Sequence, residues 1–163
     1  MKTISTLIRP LPMQNWASDI LIFIPRFVGG MLLTIDFGSS KFGVPWSPAE
    51  NELGFLQVAS WFPEDVANFG APFSWAPVFF AWMAAASETI GGLLLALGVA
   101  TRLNAFLIAC TMLVAIFYQK WGQGTWSMLP AMGFLWLSFY TLVVGSGRLG
   151  LDYLISRKWL QDK

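Results

Sequence analysis

Apolar residues occur along this chain in four long blocks, and the length of each block sets its meaning. Crossing the ~30 Å hydrocarbon layer of a bilayer takes about 20 residues of helix. The blocks Ser18–Phe37, Pro77–Ala100, Leu103–Tyr118 and Ser127–Val144 meet or approach that length. The third is short, so its helix is expected to continue through Arg102 at one end and Gln119 at the other, their long side chains reaching for the interface. Only Thr101 and Arg102 separate the second block from the third, which makes those two helices antiparallel neighbours. The pattern predicts an all-α fold, an integral membrane four-helix bundle over residues 18–145, with an N-terminal segment 1–17 and a C-terminal tail 146–163. The first block contains Arg26 and lacks a small-residue cleavage site, so it reads as a mature helix rather than a cleaved signal.

Between the first two blocks lies a long connection, residues 38–75, too aromatic for a plain linker. Ser47-Pro48-Ala49-Glu50 has the spacing of a capping box with proline at the first helical position. Leu53, Leu56, Ala59 and Phe62 then recur at helical intervals, predicting a short amphipathic helix on the membrane surface. Trp46, Trp61, Trp75, Trp121 and Trp126 gather near the same boundary, where indole rings prefer to sit. Two readings of this connection stand: an interfacial anchor, or a lid or docking surface for a partner.

Composition narrows the chemistry. The chain is 56% hydrophobic and 12% charged, far below the quarter or so of charged residues in soluble domains. A net charge of +1 provides no basic field for a phosphate backbone, which argues against a nucleic-acid partner. With no histidine and one cysteine, Cys110, the chain has no means of forming an internal disulfide, a thiolate metal cluster or a His-ligated haem. Any redox cofactor would belong to another component. Lys2, Arg9, Arg102, Arg148, Arg157, Lys158 and Lys163 fall on one side of the predicted spans, against Lys41 and Lys120 on the other, so both termini are expected in the cytoplasm.

Charges within the spans are the candidate functional groups. Arg26 lies about seven residues into the first block, roughly 10 Å deep, and Glu88 lies near the middle of the second. An unpaired ion at such depth costs at least ~2.5–3.5 kcal/mol, so the two are expected to face the interior and pair. Asp36 has Lys41 or Lys120 within similar reach. Ala84, Ala85, Gly91 and Gly92 flank Glu88 and let neighbouring backbones approach closely. An Arg26–Glu88 contact that merely sets helix register and one that handles protons or a polar head group are both open. Arg102 and Arg148 are explained by anchoring at membrane ends, Gly145-Ser146-Gly147 by a glycine helix stop, and Cys110 by a small core residue.

Arg26 with Gly30, Gly38-Ser39-Ser40-Lys41-Phe42-Gly43, the run Glu88-Thr89-Ile90-Gly91-Gly92 with Gly98 and Thr101-Arg102, and Gly147-Arg148 with Asp152 together resemble the DoxX/DoxD family of small four-helix membrane proteins. The resemblance spans about residues 20–153. Many members carry a histidine just before the glycine that precedes the lysine; here that position is Phe37. The resemblance implies a membrane subunit of a quinone-linked redox system in the bacterial inner membrane, the named example being thiosulfate:quinone oxidoreductase, which acts with a partner subunit. The residues themselves are compatible with such a role: Glu88 and Arg26 are the candidate catalytic residues, Glu88 as a group that takes a quinol proton, and Lys41 and Arg102, with Arg26, are candidate ligands for an anion or a quinone carbonyl.

Two function classes follow. In one, a quinone sits between helices against apolar side chains such as Phe23, Met31, Met83 and Phe117. In the other, the chain is a non-catalytic accessory subunit, packing against a larger membrane complex through its aromatic loop and lipid-facing surface. Transport would call for broken helices near the midplane or an inverted repeat, and Pro25 and Pro130 lie toward the ends of their spans instead.

Overall fold

The computed structural model describes residues 15–161, with side chains to residue 158. Lys2, Arg9 and Lys163, and most of the N-terminal segment 1–17, lie outside the described residues. Four helices are long and apolar enough to cross a membrane: residues 16–38, 77–97, 101–123 and 125–144. The protein is an all-helical integral membrane protein. We label its α-helices α1 (Trp16–Leu32), α2 (Trp61–Ala67), α3 (Pro77–Leu97), α4 (Thr101–Val114), α5 (Thr125–Val144) and α6 (Leu151–Gln161). The first and third spans finish in a turn of π-helix, Leu33–Gly38 after α1 and Ala115–Lys120 after α4. As expected, the third span runs through both Arg102 and Gln119.

Helix α3 is the most enclosed of the four spans, because its small residues let its neighbours come close. A side chain at Gly30 of α1 would bring its Cβ within 2.6 Å of the Gly92 carbonyl oxygen and 2.9 Å of Ala96 Cβ, so α1 and α3 meet backbone to backbone. The apolar side chains pointing away from the bundle, among them Leu21, Trp136 and Val143, are exposed on the chain and face acyl chains in the membrane.

One end of the bundle, which we call the terminal side, is fastened by ions bonded largely to backbone. Gly98 closes α3 in the left-handed region at φ 71°, and Ala100 follows at φ 44°. Asp152 at the start of α6 accepts hydrogen bonds from Ala100 N, Thr101 N and Thr101 Oγ1, each 2.8 Å long. It thereby caps α4 from outside that helix, satisfying amides that have no partner within it. The Asp152 amide in turn donates to Gly98 O at 2.8 Å. Asp19 accepts from Arg148 N at 3.1 Å and pairs with Arg148 Nε at 3.3 Å, tying α1 to the Gly145–Gly150 turn. Gly145 and Gly147 both have positive φ, as a glycine helix stop requires. The tail beyond that turn is therefore not a loose end, since α6 supplies the cap that orders the α3–α4 turn.

The long connection folds differently from its sequence pattern. Ser47–Phe62 is not one helix. A single 3₁₀ turn, Ala49–Asn51, stops at Glu52, whose φ of 46° is left-handed, and Leu56 follows at φ 60°. Ser47 does not cap; its Oγ accepts from Val44 N and donates to Phe42 O. The strand-like pairing of residues 41–43 with 56–59 uses the backbone groups a helix would need. Gly43 N donates to Gln57 O, Leu56 N to Gly43 O and Ala59 N to Lys41 O, at 2.8, 2.7 and 2.9 Å. Helix α2 begins only at Trp61 and lays Phe62 and Val66 against α3. The five tryptophans Trp46, Trp61, Trp75, Trp121 and Trp126 are all exposed at this loop side, as an interfacial belt requires. Cys110 also departs from expectation: it is exposed rather than a core residue.

The cap from α6 makes a clear prediction. Asp152→Ala leaves buried amides without an acceptor and should destabilise the protein by about 2–4 kcal/mol, while Asp152→Asn should retain part of the loss. Thermal unfolding midpoints in a mild detergent check the order wild type, Asn, Ala.

Candidate functional site

Glu88 is the twelfth of the 21 residues of α3, about 16 Å along the helix from its loop-side start at 1.5 Å per residue. It is buried, and its partner is Lys41. The Lys41 Nζ to Glu88 Oε2 distance is 2.5 Å, with the two side chains 17% and 5% exposed. The expected Arg26–Glu88 pair does not form. Arg26 is level with the terminal end of α3, where its Nη1 donates to Leu95 O at 2.5 Å and Ala96 O at 2.8 Å, and its Nη2 to Leu149 O at 3.3 Å. Its cation thus sits at the negative end of a helix. From there Glu88 is about 10 Å away along the axis, too far for a guanidinium already tied to the carbonyl oxygens at the end of α3. Asp36 pairs with neither Lys41 nor Lys120; it is exposed, Lys41 is taken by Glu88 and Lys120 reaches Gln123.

Local folding explains how a residue from a connecting segment reaches mid-helix. The π-turn Leu33–Gly38 brings Gly38 directly onto α3, where a Cβ would lie 2.8 Å from Thr89 Cα, so only glycine fits. Thr34 Oγ1 donates to Thr89 O at 2.5 Å, fixing the same contact one residue from Glu88. Lys41 N then donates to Gly38 O at 3.0 Å while Lys41 O accepts from Ala59, so its backbone is held from both sides. Its ammonium lies 5.2 Å from the centre of the Phe62 ring, a cation–π contact that accompanies the ion pair. The Gly38–Lys41 motif and the Glu88 motif, 47 residues apart, therefore form one site.

Two cavities meet at this pair. The first, about 260 Å³, lies between α2, α3 and α4; its walls include Phe69, Phe73 and Phe80, and Ser87, Thr111 and Gln119 join Lys41 and Glu88 as its polar groups. Ser87 Oγ and Thr111 Oγ1 are 2.7 Å apart, joining α3 to α4 at the depth of Glu88. The second, about 420 Å³, lies between the first span, α4 and α5, and is lined by Leu33, Phe37, Gln119, Lys120, Ser127 and Phe134 among others. Both π-turns contribute to its wall, consistent with the tendency of such turns to occur at functional sites. Phe37 packs edge-on against Phe134 at 5.2 Å, so an apolar ring fills the position of the expected imidazole.

Of the four residues singled out as site candidates, Glu88 and Lys41 come together, whereas Arg26 and Arg102 are at the terminal side. Arg102 Nη2 donates to Val143 O at 3.2 Å there. Met83 lines the first cavity, but Phe23, Met31 and Phe117 line neither. Ser87, Thr111 and Gln119 were missed. Each is a common polar residue in a helical run, and only the facing of α3 and α4 brings them to Glu88. Among the described residues no group of three or more potential metal ligands is present.

A family model described as DoxX matches residues 21–121, a span that contains Lys41, Glu88 and both π-turns. No curated protein and no solved structure matches the chain.

The pair's energetics can be measured directly. Lys41→Met strands a carboxylate in a low-dielectric interior and should cost about 3–5 kcal/mol, whereas replacing both ions in Lys41→Met/Glu88→Gln should recover most of that loss. Thermal unfolding of the single and double variants in mild detergent tests this.

Proposed function

We propose, from the premise that this chain belongs to the DoxX family, that it is the quinone-reactive membrane subunit of a redox system, with the ring's polar edge at Lys41 and Glu88. The observation that carries the reading is one buried ion pair facing two cavities, the first of them walled by aromatic rings. That cavity fits a flat ring: Phe69, Phe73 and Phe80 offer stacking faces, and an ammonium at its inner wall offers a hydrogen bond to a carbonyl oxygen. Apolar walls with few convergent polar groups are the usual make-up of small-molecule sites.

A bound quinone supplies two-electron, two-proton chemistry. Lys41 orients the ring by donating to a carbonyl oxygen and offsets negative charge that develops there. Glu88, within hydrogen-bond reach of Lys41, would take a quinol proton as the carboxylate of the ion pair; in the reducing direction it would pass on a proton only after taking one up from water, and the ring's second proton would come from water as well. The Ser87–Thr111 hydroxyl pair beside it holds α3 and α4 at a constant spacing. With no histidine and one cysteine in the chain, the electrons come from a partner component. In the narrower, thiosulfate-linked form of the reading, two thiosulfates join through a new S–S bond to give tetrathionate, and the two electrons released match one quinone. Arg26 and Arg102 serve from a distance by holding the terminal side together. The loop side faces out of the cytoplasm, in a bacterial inner membrane.

The test is the quinone content of protein purified in mild detergent, with co-purifying subunits measured on the same sample. Wild type should carry quinone, and Glu88→Gln and Lys41→Gln should each weaken its retention by about tenfold or more, the loss of one charge-assisted hydrogen bond. Wild type without quinone, or a stoichiometric larger complex whose activity survives Glu88→Gln, would overturn this reading in favour of a non-catalytic accessory subunit.

A further inference from the structure

We infer that the cavity between α2, α3 and α4 takes its ligand sideways from the hydrocarbon of the bilayer, through the exposed flank bordered by Phe79 and Met83 of α3 and Cys110 of α4, and that the ligand is a quinone bearing a long apolar tail. The inference rests on the reading above for the identity of the ring, and on the cavity alone for the route.

Depth makes the argument. Helices α3 and α4 run antiparallel from a common turn at residues 98–100, so residues equally far from that turn share a level. Glu88 is nine residues before Leu97, the end of α3, and Cys110 nine residues after Thr101, the start of α4. The Ser87–Thr111 hydrogen bond confirms that match. Cys110 is exposed and lines the cavity, so the cavity reaches the protein's flank at the level of Glu88, in mid-span. Phe79 and Met83, also exposed and also lining it, continue the same margin along α3 toward the loop side. An opening at that depth faces acyl chains rather than water. On the side away from this opening, Phe62 and Val66 of α2 close the cavity, and Phe73 meets Phe69, Phe80 and Tyr118 edge to face across its loop-side end. A polar head drawn toward Lys41 and Glu88 leaves its tail along the margin of Phe79, Met83 and Cys110.

Cys110 is the chain's one cysteine, which makes the route measurable. Ala84 lines the cavity one turn from Glu88 and has no side-chain hydrogen bond to lose. In full-length protein in lipid vesicles, Ala84→Cys in a Cys110→Ala background would be treated with an apolar benzyl thiosulfonate or with a charged sulfonatoethyl one, and modification followed by intact mass. Gly122→Cys in the same background, at an exposed turn, serves as the water-facing control and should react with both. We expect position 84 to react with the apolar reagent and about a hundredfold more slowly with the charged one, the penalty of carrying a sulfonate through hydrocarbon. A fully ring-substituted benzoquinone with a decyl chain, which has no free ring position for thiol addition, should protect it, and a fully substituted tail-less benzoquinone at equal concentration should not. Equal rates for the two reagents would show filling from water, and no reaction with either would show a closed cavity; each overturns the inference. Apolar-selective reaction blocked by a long-chain alcohol but not by the decyl quinone would uphold lateral entry and reject the quinone reading.

Discussion

A carboxylate in the middle of a lipid-embedded helix must obtain its positive partner from the protein, because the surrounding hydrocarbon can neither hydrate it nor screen it. In this chain that requirement governs the loop side of the bundle. Glu88 is met by Lys41, and to bring Lys41 there the chain tightens the end of its first span into a π-turn, presses Gly38 against Thr89 and folds residues 56–59 back on 41–43. The connection between the first two spans is thus built around delivering one ammonium group. It sheathes the rest of the Lys41 side chain as well, with Phe62 of α2 beneath the charge.

The two ends of the bundle treat buried charge in opposite ways. At the terminal side, Arg26 and Asp152 bond to backbone groups of the last turn of α3 and of the α3–α4 turn, and little room remains: a Cβ on Gly98 would lie 2.8 Å from Arg26 Nη1. Charges so enclosed hold structure. At the loop side, the ion pair borders open volume on both flanks, and both π-turns lie beside it. A closed end and a hollow end thus put the open volume of the bundle beside its mid-helix ion pair, at the loop side.

Much of this was legible in the residues themselves. The four spans, the extension of the third through Arg102 and Gln119, the close approach at Gly92 and the interior placement of Glu88 follow from local rules: block length, small-residue positions and the cost of charge in lipid. The motifs Gly38–Lys41 and Glu88–Gly92 hold the residues that meet, whereas position along the sequence pairs Glu88 with Arg26 instead. Arg26 is in a span and Lys41 looked like a loop charge, so depth along the sequence favoured the arginine. The segment 47–62 misled for a related reason, because its capping and periodicity were real but its backbone donors and acceptors were claimed by residues 41–43. The apolar neighbours of Cys110 do not distinguish core from surface, because in a membrane helix the outward face is apolar too.

By itself, then, the order of residues determined that this chain crosses a bilayer four times and that its central acid must point inward, since both depend on the solvent around each segment. The choice of counter-ion, the two cavities and the cap supplied by α6 belonged to the tertiary structure alone. Pairing is decided by which groups share a level once helices are packed: the end of α3 offered Arg26 carbonyl oxygens at its own height, and the folded loop offered Glu88 a lysine at its own.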